Sequence, residues 1–298
     1  MEKKKLMGLD SRTYEHPFDK KALQSLNSLK GFDVLTSHFL NWTFIKWHLI
    51  DLKGSNFHVT KESCPELFEQ VMNVADILDL NRSDLPQIYT NWSYAINAYT
   101  TGMNDSTLLM LNSGAVDLLS KEQLDFIIGH EIGHIKSRHV IYHTLASFFA
   151  NLISSYPIAS GLITPIQVGL LYWNRMSELT ADRAALLACQ DEEVAIDTVI
   201  KMAGVPQKFF KNLNRRVFLE QAKEFESQLS EVESLMKNIS VLDNSHPWTV
   251  LRAAELIKWV ESGEYNRILS EYSAVKCPHC GSDIARNSEL CPVCDRGI

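Results

Sequence analysis

A mostly α-helical α+β fold, with a small cysteine-paired module at its C-terminal end, is the class this chain predicts. Three observations carry it. Several segments space their apolar residues as helices do. One short run, Phe57-His58-Val59-Thr60, is strand-like. Cys277-Pro278-His279-Cys280 is echoed by Cys291-Pro292-Val293-Cys294. The 298 residues, 45% hydrophobic and 22% charged, supply a full core for one or two domains. The expected division is an N-terminal helical region over 1–84, a central domain over 85–274 and a terminal module over 275–298.

From the N-terminus, Ala22 to Leu29 and Pro65 to Leu80 have helical periodicity, the second through Leu67, Phe68, Val71, Val74, Ala75 and Leu78. Trp42, Phe44, Ile45, Trp47 and Leu49 form an aromatic-rich stretch expected to be buried. No chemistry is read in this part. Ser120 with Gln123 is a capping-box start, and Leu124, Ile127, Ile128 and Ile135 follow at helical spacing. Gly129 and Gly133 each cost that helix about 1 kcal/mol relative to alanine. Their presence implies that something packs close to the backbone there.

From His139 to Asn174 there is no Asp, Glu, Lys or Arg. His143, Asn151, Ser154, Ser155, Pro157, Pro165 and Gln167 interrupt the run, so neither half offers the ~20 apolar residues of a span. A helical hairpin packed on the preceding helix is the reading. A hairpin that touches a membrane surface is the alternative. His139 and His143 are read as surface or core residues of that segment. Ala195 to Ala203 and Arg216 to Asn238 read as further helices, the second charged and surface-facing.

The chemistry is concentrated in His130-Glu131-Ile132-Gly133-His134. Imidazoles four residues apart lie on one face of a helix, one turn apart, and both reach one zinc ion. Glu131 between them is placed to take a proton from a water that the metal polarises. Catalytic zinc usually keeps three protein ligands and one open position. The best third candidate is Glu178, in Ser177-Glu178-Leu179-Thr180-Ala181-Asp182. Asp182, one turn on, would accept a hydrogen bond from a ligand imidazole. An exposed helix carrying Glu178, Asp182 and Arg183 would explain the same string without a metal.

Two C-x-x-C pairs ten residues apart, Cys277 and Cys280 with Cys291 and Cys294, suit a closed structural zinc site of the ribbon kind. Iron is the alternative metal by ligand type, and two disulfides are the alternative without metal. Cys64 and Cys189 stand alone and are read as structural thiols.

The combined pattern resembles metallopeptidase family forty-eight, a zincin-like gluzincin group that includes the HtpX heat-shock protease and the type-I CAAX prenyl proteases. The resemblance runs from about Leu85 to Trp259. Besides the two strings above, it rests on Asn97-Ala98-Tyr99-Thr100-Thr101-Gly102, then Leu108 to Leu111 and Gly114 to Leu119, and on His246-Pro247 followed by Arg252. It implies a small sheet edge beside the His130 helix. It implies His130, His134 and Glu178 as zinc ligands, Glu131 as general base and Asp182 as the aspartate behind a ligand. His246 would approach the site, as an oxyanion helper or an inhibitory ligand, and Arg252 would lie near the substrate end.

These expectations describe a zinc endopeptidase with one catalytic and one structural Zn2+. Glu131 would take the water's proton and return it to the leaving amine, and His246 and Arg252 are candidates to help hold the oxyanion. The strand at Asn97, Ala98 and Tyr99 would bind an extended protein or peptide substrate by strand addition. The alternative is a proteolytically inactive, metal-stabilised interaction module. A net charge of -7 disfavours nucleic acid as a partner, and the ribbon's mixed charges favour a protein partner instead. Lys3-Lys4-Lys5 precedes too short an apolar run for a secretory signal, so the expected compartment is the cytoplasm, with membrane association as the alternative.

Overall fold

Alternating side-chain direction along one strand organises the molecule. The computed structural model describes residues 3–32, 43–103, 106–155, 160–212, 214–225 and 249–298, without the side chains of 43–44, 148–155, 160–165 and 211–212. Strands β1 (Phe57–Val59), β2 (Gln87–Asn91), β3 (Ala98–Met103) and β4 (Ser106–Asn112) form a mixed sheet in the order β1-β2-β4-β3. β4 runs parallel to β2 and antiparallel to β3. Successive strand residues point to opposite faces. Leu109 and Leu111 therefore join one core and Leu108 and Met110 another, all four fully buried. A sheet covered on both faces needs such a continuous apolar strand.

The helices in chain order are α1 (Ser11–Tyr14), α2 (Pro17–Asn27), α3 (Thr43–Ser55), α4 (Pro65–Ile77), α5 (Ser113–Leu118), α6 (Lys121–Lys136), α7 (Val140–Ser155), α8 (Ser160–Cys189) and α9 (Glu192–Met202). Then come α10 over 215–225, α11 (Thr249–Glu261) and α12 (Glu264–Tyr272). The larger core joins α4, α6, α9, α11 and the end of α8 to one sheet face. The second core places Leu26 of α2, Ile45 and Leu49 of α3, Leu145 of α7 and Leu170 and Trp173 of α8 under the other. The fold is thus a mostly helical α+β arrangement.

Local signals set several boundaries. Ser120 and Gln123 make the full capping box at the start of α6, with the Gln123 amide donating to Ser120 Oγ and the Ser120 amide donating to Gln123 Oε1. α9 starts three residues before its expected first residue, Ala195, because the Asp191 side chain accepts from the Val194 amide. The stretch around Trp47 is only partly buried as expected. α3 turns Ile45 and Leu49 inward and leaves Trp47 67% exposed on its opposite side. Of the helix expected over 216–238, the part beyond 225 lies outside the described residues. The described part of the uncharged run forms α7 and the first half of α8. Among the described residues, no helix is long and apolar enough to cross a membrane.

The segment from Lys3 to Met7 is tied to the body and to the end of α12. The Leu6 amide donates to Ile77 O, Met7 to Tyr272 O, and Ala274 to Lys5 O. Lys3 pairs with buried Asp125, and the Gln190 side chain exchanges two hydrogen bonds with the Lys4 backbone. The C-terminal module follows at once, as a two-stranded sheet of β5 (Val275–Lys276) and β6 (Asp283–Ile284). Its core consists of Ile284 with Cys277 and Cys291.

Candidate functional site

Helix α6 is buried from Gln123 through Ile135, so its two histidines lie deep in the molecule. The partner that approaches it is α8. A Cβ added at Gly129 would collide with the Ala188 methyl, and one at Gly133 would come within 2.6 Å of Ala184 Cβ. Ala181, Ala184, Ala185 and Ala188 form the facing stripe. Glycine against alanine lets the two backbones pack almost in contact, and that approach delivers Glu178 to the histidines. His130 Nε2 lies 3.3 Å from Glu178 Oε2, and His134 Nε2 lies 3.3 Å from Glu178 Oε1. The two Nε2 atoms are 3.1 Å apart.

These separations test the donor set for a metal. Zinc with bonds of about 2.0–2.1 Å has tetrahedral ligand-to-ligand edges of about 3.3–3.4 Å. The three observed edges, 3.1, 3.3 and 3.3 Å, fit one face of such a tetrahedron. A tetrahedral ion held by these three donors would keep one further position.

Behind His130, its Nδ1 is 3.0 Å from Asp182 Oδ1. A carboxylate there holds the proton on Nδ1 and turns the Nε2 lone pair toward the metal position. Asp182 is itself clamped by Arg252, whose Nε donates to Oδ2 at 2.7 Å and Nη2 to Oδ1 at 2.6 Å. All three groups are buried. Burial disfavours the Asp182 charge, but Arg252 outweighs it and holds the carboxyl below its usual range. Burial likewise opposes a charge on His130, yet its bonds to Asp182 and Glu178 raise that imidazole to about 9. His134 goes the other way. Burial dominates there and lowers it to about 4.

His134 is backed differently. Its Nδ1 lies 3.1 Å from Nδ1 of His139, whose Nε2 lies 3.3 Å from Asp19 Oδ2. The end of α6 aims that ring. The His139 amide donates to His134 O and the Arg138 amide to Ile135 O, the two bonds of a Schellman motif. Arg138 occupies the left-handed position, φ 61°, where glycine is usual. Its guanidinium pairs with Asp84.

Glu131 is buried beside His130, close enough to Arg252 for its charge to favour the guanidinium. Arg252, expected near the substrate end, donates to Asp182 and has its Nη1 3.9 Å from Glu178 Oε2. His246 lies outside the described residues. Ala98 and Tyr99 open β3, the outer strand of the sheet among the described residues, and Asn97 just before it accepts from the Asn112 amide at the end of β4. β3 packs on α6 and α7, and Thr144 Oγ1 of α7 accepts from the Gly102 amide. Tyr99 is partly exposed and Ala98 buried.

The four terminal cysteines converge without disulfides. Cys277 and Cys294 Sγ are 3.9 Å apart, and Cys280 and Cys291 Sγ 3.6 Å. Zinc–sulfur bonds of about 2.3 Å give tetrahedral edges of about 3.8 Å, so this set also fits. Each knuckle turns through a left-handed residue, Gly281 at φ 75° and Asp295 at φ 55°. Their amides donate to Cys277 O and Cys291 O. Backbone amides, with His279 N at 3.4 Å, hold the Cys277 thiol below its ordinary value.

Sequence reasoning missed two members of the histidine site, Asp19 and His139. A signal existed for His139, which follows His134 by five residues, just past the helix end. Nothing in the sequence marks Asp19.

This geometry belongs with a known family. The model of peptidase family M48 matches residues 62–260. The chain is 30% identical over 264 residues to the plastoglobule-localized metallopeptidase 48, chloroplastic, of Arabidopsis thaliana, covering 88% of this chain and 76% of that protein. It is 33% identical over 97 residues to a protease HtpX homolog of Thermodesulfovibrio yellowstonii, 32% of this chain and 33% of that one. A second HtpX homolog, from Methanosarcina mazei, is 24% identical over 173 residues, 49% and 58% of the two chains. No solved structure matches significantly. The chain belongs to peptidase family M48, a family of metallopeptidases.

Proposed function

We propose that the protein is a zinc-dependent endopeptidase with His130, His134 and Glu178 as ligands and Glu131 as general base. The observation that carries this reading is the near-tetrahedral spacing of three buried donors on two helices, with Glu131 next to the first. Zinc bound there would lower the pKa of a water toward neutrality and polarise the scissile carbonyl. The chain's own residues do the rest. Glu131 accepts the water's proton and returns it to the leaving amine. Asp182, fixed by Arg252, holds His130 in the ligating tautomer. The outer edge of the sheet where β3 begins, around Ala98, pairs with an extended substrate through backbone hydrogen bonds, a mode tolerant of sequence. The four cysteines hold a second, structural zinc.

Glu131→Gln tests the assignment. Glutamine keeps the shape and cannot take a proton, so zinc content should stay at the wild-type level while cleavage of an unfolded protein is lost. Hydrolysis at the wild-type rate in that variant sinks the general-base assignment. No cleavage by the wild-type chain with both metals bound points instead to a non-enzymatic interaction module.

A further inference from the structure

Both ligand imidazoles must present an unprotonated Nε2 to the metal, so each must carry its proton on Nδ1 and needs an acceptor there. For His130 the acceptor is Asp182, 3.0 Å away. Among the described residues, no carboxylate contacts His134 Nδ1. Its partner is another nitrogen, His139 Nδ1, at 3.1 Å.

The proton count along that contact has one solution. If His134 donates from Nδ1, His139 must accept on Nδ1 and carry its own proton on Nε2. That proton points at Asp19 Oδ2, 3.3 Å away. Asp19 is fully buried and held from two further sides, by Thr180 Oγ1 at 2.6 Å to Oδ2 and Trp173 Nε1 at 2.9 Å to Oδ1. Both are donors, which keeps Asp19 an acceptor toward His139. The helix carrying it is anchored independently: His16 caps α2 by accepting from the Phe18 amide, and its own amide donates to Thr180 Oγ1. The Schellman turn at Arg138 fixes His139 from the other side.

We infer that Asp19, acting through His139, is a positioning residue for the metal ligand His134. Asp19 orients and polarises the imidazole at one remove, as Asp182 does for His130 directly. The proposal rests on His134 being a ligand. It places part of the metal site in the N-terminal segment, outside residues 62–260 that match the family. It also gives His139 a role that a merely buried histidine lacks.

Cobalt(II) reloading of the full-length, metal-stripped chain separates the two centres. Sulfur-to-cobalt charge transfer reports the cysteine site, and the visible d–d bands report the histidine site. Affinity is read against a competing chelator. Asp19→Asn, which keeps shape, and His139→Phe should each weaken the histidine site roughly 10- to 100-fold, the usual cost of removing an outer partner, and leave the cysteine site unchanged. The double variant should lose no more than the worse single one, because both cut one chain of bonds. Histidine-selective NMR of the zinc form should show His134 protonated on Nδ1 and His139 on Nε2. Unchanged affinity in both single variants overturns the proposal, as does an additive loss or the opposite His139 tautomer. A third metal equivalent that vanishes in His139→Phe also overturns it, placing an ion among His134, His139 and His143. Glu178→Ala separates the levels. If it binds cobalt as wild type does, the ligand set itself is wrong. If it loses cobalt while Asp19→Asn does not, only the role of Asp19 falls.

Discussion

Gly133→Ala would ordinarily stabilise a helix. Alanine is favoured over glycine in a helix interior by about 1 kcal/mol. At this position the new Cβ would stand 2.6 Å from Ala184 Cβ and 3.3 Å from Ala181 Cα. Normal carbon contacts lie at about 3.5–4.0 Å, so α6 and α8 would have to separate by roughly 1 Å. Overpacking of that kind costs about 1–3 kcal/mol, which exceeds the propensity gain. The expected net effect is a loss of about 1 kcal/mol in the metal-free protein, read as a lower urea midpoint at unchanged slope. The larger effect falls on the metal. The same separation carries Glu178 away from His130 and His134 and should weaken zinc by at least tenfold, about 1.4 kcal/mol. Gly133→Ala with Ala184→Gly moves one methyl across the interface and cancels the propensity terms. That pair should recover most of the stability and the zinc affinity. A single variant more stable than wild type by about 1 kcal/mol, with unaltered zinc binding, would refute the close-approach argument.

Other perturbations separate the remaining parts. Arg252→Met strands the buried Asp182 carboxylate and should cost about 3–5 kcal/mol along with zinc affinity; an unchanged thermal midpoint would show that Asp182 does not depend on it. Truncation after Ala274 keeps the Ala274–Lys5 hydrogen bond and should remove one zinc while sparing hydrolysis of a small peptide. Loss of both metals would mean the module is needed by the core. Glu255 accepts from His16 at 3.0 Å and Lys258 at 2.9 Å, and despite burial its carboxyl sits at about 2 instead of 4.5. A depressed acid stabilises the fold above its unfolded value and loses that contribution as pH falls toward the folded one. The stability gap between wild type and Glu255→Gln should therefore be full above about pH 5 and close toward about pH 2. A gap independent of pH would contradict the linkage.

What could be read without a structure was whatever repeats at short range. His130 and His134 are one turn apart, the Ser120–Gln123 box marks the helix start, and the cysteine pairs are each closed by one turn. Glu178 was legible only through its own local string, although it reaches the histidines across a tight interhelical contact. Gly129 and Gly133 hinted at that contact, and the alanines of α8 complete it. The Asp19 contact escaped because it joins positions 120 residues apart with no periodic trace. The bend that aims His139 escaped because a C-cap is expected at glycine, and here Arg138 takes the left-handed conformation. The pairing of Arg252 with Asp182 was not legible either, because it joins positions 70 residues apart.

The order in which the chain is made gives the clamp on Asp182 a further meaning. The histidines and Glu178 emerge from the ribosome well before Arg252. Until the guanidinium arrives, Asp182 has only the His130 imidazole beside it to offset its burial, and α8 has less reason to seat it against α6. A protease that assembled its centre from the first helices alone would be competent while half-made, free to cut neighbouring nascent chains. By drawing that guanidinium from α11, the fold makes the seating of Asp182 behind His130 depend on a helix 70 residues further along the chain.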